Sequence, residues 1–246
     1  MSPLARSFAF ALAHALHPRM LWLAIWPTLA ALLLWGLLVY AFWMRAARGL
    51  AQTIGGVLER TGLAFVLVPA DLPLFLAHAL LALLVVPLVA FTALFLFGLF
   101  GMTAVVEYVA ATRFAALARR GGGSAAGSLG NAVVAAAGML ALAVLSLPLW
   151  IFPPLWPLIP LAISAWGNQR LLRYDALAEH ADRQELRALF RAHRGRLYAL
   201  GFVLALLAYV PLIGFVVPAI GALAFSHFLL SELAGLRAAS ASGGAR

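Results

Sequence analysis

Two long stretches of the sequence, 20–44 and 72–106, contain no Asp, Glu, Lys or Arg. As single helices they would be about 37 Å and about 52 Å long. Both lengths exceed the ~30 Å hydrocarbon layer of a bilayer, so the longer helix must tilt, kink at Pro87 or extend into water. The sequence therefore predicts an all-α integral membrane protein with two long transmembrane helices.

Composition supports a membrane protein over a soluble one. Charged residues make up 10% of the chain, whereas soluble domains carry about 25%. The net charge of +9 arises from seventeen basic residues, all of them arginine. Because these arginines lie at the ends of apolar runs, they favour a role in membrane orientation, and we predict no nucleic-acid partner.

Two further apolar blocks, 131–166 and 198–230, are interrupted by prolines. Five prolines lie between residues 148 and 160, and the second block is interrupted at Pro211 and Pro218. Each half-block would be a helix of about 20–27 Å, which is short for a full crossing. We predict two helical hairpins that enter the membrane and turn back inside it. Two ordinary crossings by short helices in each block are the alternative.

The segment 168–196 is the most polar part of the chain, with eleven of the twenty-five Asp, Glu and Arg residues. We predict that it lies at the membrane interface or in the cytoplasm. Asp182 precedes Glu185 by three residues, which predicts a helix start with a capping box. Gly195 predicts the end of this helix, because a left-handed C-cap favours glycine.

The predicted helix in this segment has an arginine face. At about 100° per residue, four arginines fall within a stripe of about 80°, next to a sector of apolar residues. The arginines are Arg183, Arg187, Arg191 and Arg194. Such a helix is typical of the membrane interface, with guanidinium groups at lipid phosphates. Binding of a soluble anion by the same face is the alternative.

The placement of arginine also predicts orientation. We expect one helical membrane domain, 1–237, with its retained N-terminus in the cytoplasm, followed by a disordered tail, 238–246. Segments 107–128 and 167–197 and the C-terminus then lie inside, because each hairpin returns to the side it left. The near-neutral loop 45–71 lies outside, in agreement with the cytoplasmic preference of arginine.

Four polar residues form the predicted anion-binding set. Arg19 stands at the start of the first long run, where free backbone N–H groups and the helix dipole attract anions. A lipid phosphate is an equal alternative for this guanidinium group. Asn168 follows an apolar block and could line a polar path or form an interhelical hydrogen bond. The neighbouring His17 and Arg170 complete the set.

No pattern in the sequence indicates an enzyme or a metalloprotein. The six histidines show no metal-ligand spacing, and the glycine-rich 121–124 lacks the Lys-Ser/Thr of a phosphate-binding loop. The chain has no cysteine, which excludes thiol catalysis and thiolate metal sites. We predict no catalytic residue, no metal site and no cofactor.

Three stretches, 15–35, 173–201 and 209–233, resemble the CysZ and etoposide-induced-protein family of membrane proteins, as does the order of two long helices and two hairpins. The resemblance implies two full-length transmembrane helices, two partly inserted hairpins and, in the bacterial branch, sulfate uptake across the inner membrane. It also implies sulfate binding by a loop containing glycine and arginines before the first long helix. Here that place reads Leu16-His17-Pro18-Arg19, with one arginine and no glycine.

These observations predict a multi-pass permease or channel of the inner membrane for a small, sulfate-like anion, with membrane lipids as further partners. A homo-oligomer is expected, because two full spans cannot enclose much of a pore. The alternatives are a non-transporting scaffold or assembly factor, and a lipid-binding or lipid-modifying protein that uses the arginine face.

Overall fold

The computed structural model of the protein describes residues 2–61, 69, 71–210 and 213–243. These residues form helices and turns with no strand among them, which confirms the predicted all-α fold. Four helices are long and apolar enough to cross a membrane: Pro18–Arg60, Leu72–Arg113, Ala126–Leu145 and Val217–Ser242. The predicted loop residues 62–68 and 70, the predicted break at Pro211 and the tail residues 244–246 lie outside the described residues.

Contacts divide the chain into two compact units where the sequence predicts one domain, 1–237. One unit is Ile25–Leu96, and the other combines Met1–Ala24 with Phe97–Arg246. In the first unit, Trp35 Nε1 donates a hydrogen bond of 2.9 Å to Thr92 Oγ1. Its outer surface is apolar, as expected of a surface that faces lipid, with side chains such as Leu33 and Leu83 largely exposed.

The first two helices are α1, Pro3–Ala15, and α2, Pro18–Arg60. Helix α2 continues past the predicted end at residue 44, so the predicted loop from residue 45 is helical as far as Arg60. The end of an apolar run marks where the chain passes from the hydrocarbon layer into water, and the helix can continue beyond that point. The alanines and glutamine that follow Trp43 keep helix propensity high.

The second long run forms three consecutive helical segments. Helix α3, Leu72–Leu96, leads into a π-helical turn, Phe97–Gly101, and then into α4, Met102–Arg113. The ring of Phe97 lies so close to Gly101 that an added Cβ would be 2.6 Å from it. The helical path therefore extends past the predicted end at residue 106, and the glycine makes room for the wider turn.

Both proline-broken blocks fold as hairpins. The first pairs α5, Ala125–Leu145, with α6, Leu158–Asp175, through two short 3₁₀ turns that contain three of the five prolines. Helix α5 is about 31 Å long, which is enough to cross a bilayer and longer than predicted. Whether this hairpin crosses the membrane or turns back inside it stays a prediction.

The polar segment leads into the second hairpin. Helix α6 ends at Asp175, and α7 covers Arg183–Ala192. Helices α8, Arg194–Ala208, and α9, Val217–Gly243, then pair in the second hairpin.

Three details of these helices correct the sequence predictions. Pro218 lies in the first turn of α9 and does not break a helix, because a first-turn residue needs no intrahelical donor. The predicted tail from residue 238 continues α9 as far as Gly243. Gly195 does not end α7. The C-cap of α7 is His193, which has a negative φ that needs no glycine, and Gly195 lies within α8.

The core of the larger unit surrounds α9. Phe225, Phe228 and Leu230 of this helix are fully buried, and α1, α4, α6, α7 and α8 all pack against it. At the crossing of α6 and α8, a Cβ on Gly201 would collide with the Ala165 carbonyl. Close approach of the two backbones at this glycine holds the α6–α8 pair, which positions the polar segment between them.

Candidate functional site

The carboxylate of Glu185 is the centre of an ionic cluster, here called the Glu185 network, that consists of Arg120, Asp182, Glu185 and Arg237. The Glu185 side chain is 9% exposed. Its Oε1 accepts hydrogen bonds from Arg237 Nε at 2.8 Å and from Arg120 Nη1 at 2.9 Å. Its Oε2 accepts from Arg237 Nη2 and from the Asp182 backbone N–H, each at 2.9 Å. Both oxygens of this buried carboxylate are therefore fully used.

Arg237 joins three parts of the chain. Besides Glu185, it donates to the carbonyl oxygens of Ala118 at 2.7 Å and His180 at 2.6 Å. The C-terminal end of α9, the segment after α4 and the segment before α7 therefore meet at one side chain. Their proximity agrees with the prediction that these three regions lie on one side of the membrane. Which side that is stays a prediction.

The capping box predicted from sequence is confirmed. Asp182 Oδ1 accepts from the backbone N–H groups of Gln184 and Glu185, each at 2.8 Å. The Glu185 hydrogen bond to the Asp182 N–H completes the reciprocal pair. Hydrogen bonds from Arg237 lower the pKa of Glu185, and the bond from the Glu185 amide lowers the pKa of Asp182.

The glycine loop, defined as residues 121–124, is fixed to the segment before α7. The N–H groups of Gly121, Gly122 and Gly123 donate to the carbonyls of residues 179, 181 and 178 at 3.0, 3.0 and 2.8 Å. An added Cβ at Gly123 would be 2.6 Å from the Ala178 Cα. Gly121 has a φ of +60°, a conformation that favours glycine. These constraints explain why a run of glycine is needed where the two segments meet.

The apolar side of α7 packs into the protein and does not face lipid. Leu186 and Leu189 are buried in the core of the larger unit, and Phe190 is partly buried against it. The predicted insertion of this face into lipid is therefore wrong, because α7 is amphipathic towards the core formed by α9. All four predicted face arginines are exposed: Arg183, Arg187 and Arg191 on α7, and Arg194 at the start of α8.

A cavity of about 420 Å³, here called the His227 pocket, lies between α1, α8 and α9. It is lined by Arg6, Arg196, His227, Ser231 and Glu232, together with Pro3. Glu232 Oε1 accepts from Arg196 Nη1 at 3.3 Å. Within the described part of the chain, the Arg6 guanidinium group has no hydrogen bond or ion pair.

The His227 ring is held in place from two directions. Its Nδ1 lies 3.0 Å from Ser7 Oγ, within hydrogen-bonding distance. Its ring stacks on Phe10 with centroids 4.5 Å apart and meets the edge of Phe114 at 5.7 Å. Helix α9 thus holds an ionisable side chain in a fixed orientation beside two guanidinium groups, halfway along a helix of membrane-spanning length.

Comparison with known proteins adds the family. Residues 7–218 match the family described as "Sulfate transporter CysZ/Etoposide-induced protein 2.4". The chain belongs to this family. No curated protein and no solved structure matches the chain. Family membership and four membrane-length helices together identify a multi-pass membrane protein of a transporter family.

The loop to which the family resemblance assigns sulfate binding contains His17 and Arg19. His17 Nδ1 accepts a hydrogen bond of 3.3 Å from the Arg19 backbone N–H, so this imidazole caps α2. The His17 ring also lies 5.8 Å from the ring of Tyr108. The Arg19 guanidinium is exposed and has no hydrogen bond or ion pair to any described residue. Binding of an anion to the Arg19 amide would have to displace the imidazole, whereas the guanidinium is free.

The other two residues of the predicted set connect helices. Asn168 Nδ2 donates to the Gly201 carbonyl at 3.3 Å, across the α6–α8 pair. The Arg170 carbonyl accepts from Asn131 Nδ2 at 3.0 Å, across the α5–α6 pair. The Asn168 bond is the interhelical hydrogen bond of the alternative interpretation. The Arg170 bond uses the backbone carbonyl, so anion binding by its guanidinium group stays a prediction. Among the described residues, no hydrogen bond, ion pair or ring contact joins Asn168 or Arg170 to His17 or Arg19.

Sequence reasoning missed the partners of the two polar clusters. Arg6 lies in the N-terminal segment before the first apolar run, and Arg237 follows the last apolar block. From the sequence, both therefore resemble charged residues at the end of a helix. The sequence does indicate His227 as a candidate, because this ionisable residue interrupts an apolar run. It does not indicate the partners Ser7 and Arg6, which are more than 200 positions away in the chain. Groups of three or more acidic or histidine side chains suited to a metal are absent from the described residues.

Proposed function

We propose that the protein is a permease or channel of the inner membrane for a small anion of the sulfate class. The His227 pocket is the observation that carries this proposal. It brings Arg6 of α1 and Arg196 of α8 next to His227 of α9, a helix of membrane-spanning length. His227 interrupts the apolar sequence of this helix, and ionisable side chains within membrane-spanning helices are costly and usually serve transport. The sulfate transporter named in the description of the family supports the choice of anion.

The charges around the pocket suit transient binding. Arg6 is free of partners within the described residues, and Arg196 is held by Glu232 at 3.3 Å. An entering divalent anion binds Arg6 first and then competes with Glu232 for Arg196. Ser231 also lines the pocket, but its hydroxyl proton is donated to the Phe228 carbonyl at 2.7 Å, so the guanidinium groups are the main donors to an anion. Competition from Glu232 weakens retention of the anion, and transport needs release as well as binding.

Uptake of radiolabelled sulfate into proteoliposomes tests the proposal. We expect flux above that of empty vesicles and a reduction of about tenfold or more in Arg6→Gln, because hydrogen bonds to charged groups contribute about 1.5–3 kcal/mol. His227→Ala should also reduce flux. The matched control is Arg48→Gln, because Arg48 is an exposed arginine on α2 that does not line the pocket. Absence of flux in the wild type, or equal loss in all three variants, would overturn the proposal.

Arg19 and His17 stay proposed anion ligands, and the same assay separates them from the pocket. Arg19→Ala removes a free guanidinium group and should lower sulfate flux if anions enter past the start of α2. Flux in Arg19→Ala equal to the wild type, together with loss in Arg6→Gln, would assign binding to the pocket alone.

We also propose that several copies of the chain form the pathway, because the long helices of one copy are too few to enclose a wide pore. Light scattering of the detergent-solubilised protein should then give a mass that is a multiple of the 26.2 kDa chain. A monomer that retains full flux would exclude this arrangement.

A further inference from the structure

A second cavity, of about 530 Å³, lies between the glycine loop and α7. We propose that this glycine-loop pocket binds a phosphate group through Arg183 and Arg187, and that the phosphate belongs to an anionic phospholipid. A free phosphate ion offers the same chemistry to the two guanidinium groups. The proposal is independent of anion transport through the His227 pocket.

Charge is the first argument. Arg183 and Arg187 both line the cavity and are exposed. Neither has a hydrogen bond or ion pair among the described residues, and no acidic side chain lines this cavity. The nearest acidic neighbour in sequence, Asp182, is already occupied by two backbone N–H groups and by Arg120. The two guanidinium groups therefore lack a counter-charge that an anion would supply.

The contrast with other arginines of the same region strengthens this point. Arg119 pairs with Glu179 at 3.4 Å, Arg120 pairs with Glu185 at 2.9 Å, and Arg237 pairs with Glu185 at 2.8 Å. The chain thus provides carboxylates for the arginines that hold the fold together. It provides none for the two that line the cavity.

The walls of the cavity supply the second argument. One wall is the glycine loop, in which residues 121–123 present backbone without side chains and are fixed by hydrogen bonds to residues 178–181. Beside it, the hydroxyl group of Tyr174 packs directly against Gly127, where a side chain would collide with it. This hydroxyl is a donor that can reach a ligand in the cavity. A fixed backbone and a positioned hydroxyl give the site shape that an exposed arginine pair alone would lack.

The apolar part of the lining favours a lipid over a free ion. Leu186 and Phe190 line the cavity next to the arginines. The Arg173 guanidinium group lies over the Phe190 ring, 4.8 Å from its centroid, and holds the ring in place. A tetrahedral anion alone would fill a small part of about 530 Å³. A phospholipid places its phosphate at the arginines and its glycerol backbone against the parts of Leu186 and Phe190 that line the cavity.

The four face arginines therefore divide into two pairs, and the division provides the test. Arg183 and Arg187 line the cavity, whereas Arg191 and Arg194 do not. The double variants Arg183→Gln/Arg187→Gln and Arg191→Gln/Arg194→Gln remove the same charge from the same exposed face. Full-length protein of each kind is purified from one lipid mixture that contains phosphatidylglycerol, and retained lipid is measured by native mass spectrometry.

We expect retained phosphatidylglycerol to fall about tenfold in the first variant, because hydrogen bonds to charged groups are lost, and to be unchanged in the second. Equal loss in both variants would overturn the proposal in favour of general attraction to the membrane surface. Absence of retained lipid in the wild type would also overturn the lipid source. Circular dichroism of both variants confirms that each is folded.

A titration of delipidated protein separates the two phosphate sources. Binding of dihexanoyl-phosphatidylglycerol without comparable binding of inorganic phosphate supports the lipid. Equal affinity for inorganic phosphate, lost in Arg183→Gln/Arg187→Gln, assigns the site to a soluble phosphate and overturns the lipid assignment. Failure of both probes overturns the site. Sulfate flux is measured on the same preparations, so a loss of lipid binding with normal flux leaves the proposed transport function intact.

Discussion

The larger unit contains two groups of arginines that lie close together and have different roles. Arg120 and Arg237 converge on the buried carboxylate of Glu185, with N–O distances of 2.9 and 2.8 Å. The four face arginines of α7 and α8 are exposed and have no ion pair within the described residues. The same side chain therefore closes the fold in one group and is free for external anions in the other. Position relative to a carboxylate, which sequence spacing does not reveal, decides between the two roles.

The largest effect is expected from Glu185→Ala. Removal of this carboxylate leaves the partly buried Arg237 without its counter-charge, and breaking such a pair costs about 3 kcal/mol or more. Thermal unfolding in detergent should show a clear decrease in Tm. Glu179→Ala is the matched control, because the Glu179–Arg119 pair is 39% and 57% exposed and such surface pairs contribute little. Equal decreases in both variants would contradict a structural role for the Glu185 network.

The next largest effect on stability is expected from a substitution in the glycine loop. Gly123→Ala places a methyl group about 2.6 Å from the Ala178 Cα, and overpacking of this kind costs about 1–3 kcal/mol. Gly130→Ala is the control, since no atom lies within 4 Å of its added Cβ and the change favours helix α5. We expect Tm to fall in the first variant and to rise slightly in the second. A neutral Gly123→Ala would show that the loop can move away from residues 178–181.

Acidification should weaken the network gradually. The pKa of Glu185 is lowered from 4.5 in the folded protein. A lowered folded pKa means that its contribution to stability is complete above 4.5 and is lost as the pH falls through the lower value. As the pH falls below 4.5, Tm of the wild type should therefore fall more steeply than Tm of Glu185→Gln. Parallel curves for the two proteins would contradict this assignment.

The smallest effect on stability is expected from Arg191→Gln/Arg194→Gln. Both side chains are exposed and unpaired among the described residues, so Tm should stay within experimental error. A clear decrease would show that the arginine face holds the fold together, which would remove the contrast between the two groups.

Local signals in the sequence were sufficient for parts of the fold. The capping box at Asp182 and Glu185 involves residues three apart, so spacing alone predicts it. The clustered prolines predict the turn between α5 and α6. Hydropathy identifies the membrane-length helices but misplaces their ends, as at Arg60, because a helix can leave hydrocarbon without ending.

The sites depend on contacts between distant residues, which local patterns do not encode. Arg237 meets Glu185 across 52 positions, and Ser7 meets His227 across 220. Asn168 shows the converse difficulty. Its position at the end of an apolar block fits a polar path and an interhelical bond equally well. The hydrogen bond to the Gly201 carbonyl shows the interhelical bond, and a role in a polar path stays a prediction.

Helix α9 has a consequence for biogenesis. It is synthesised after α1, α4, α6, α7 and α8, yet all of these helices pack against it. Until α9 leaves the ribosome, the apolar surfaces of these helices that it will cover lack their packing partner. Lipid, the insertion machinery or a chaperone must shelter them during that interval. Final assembly of the larger unit therefore waits for α9, and termination before α9 would leave these apolar surfaces uncovered.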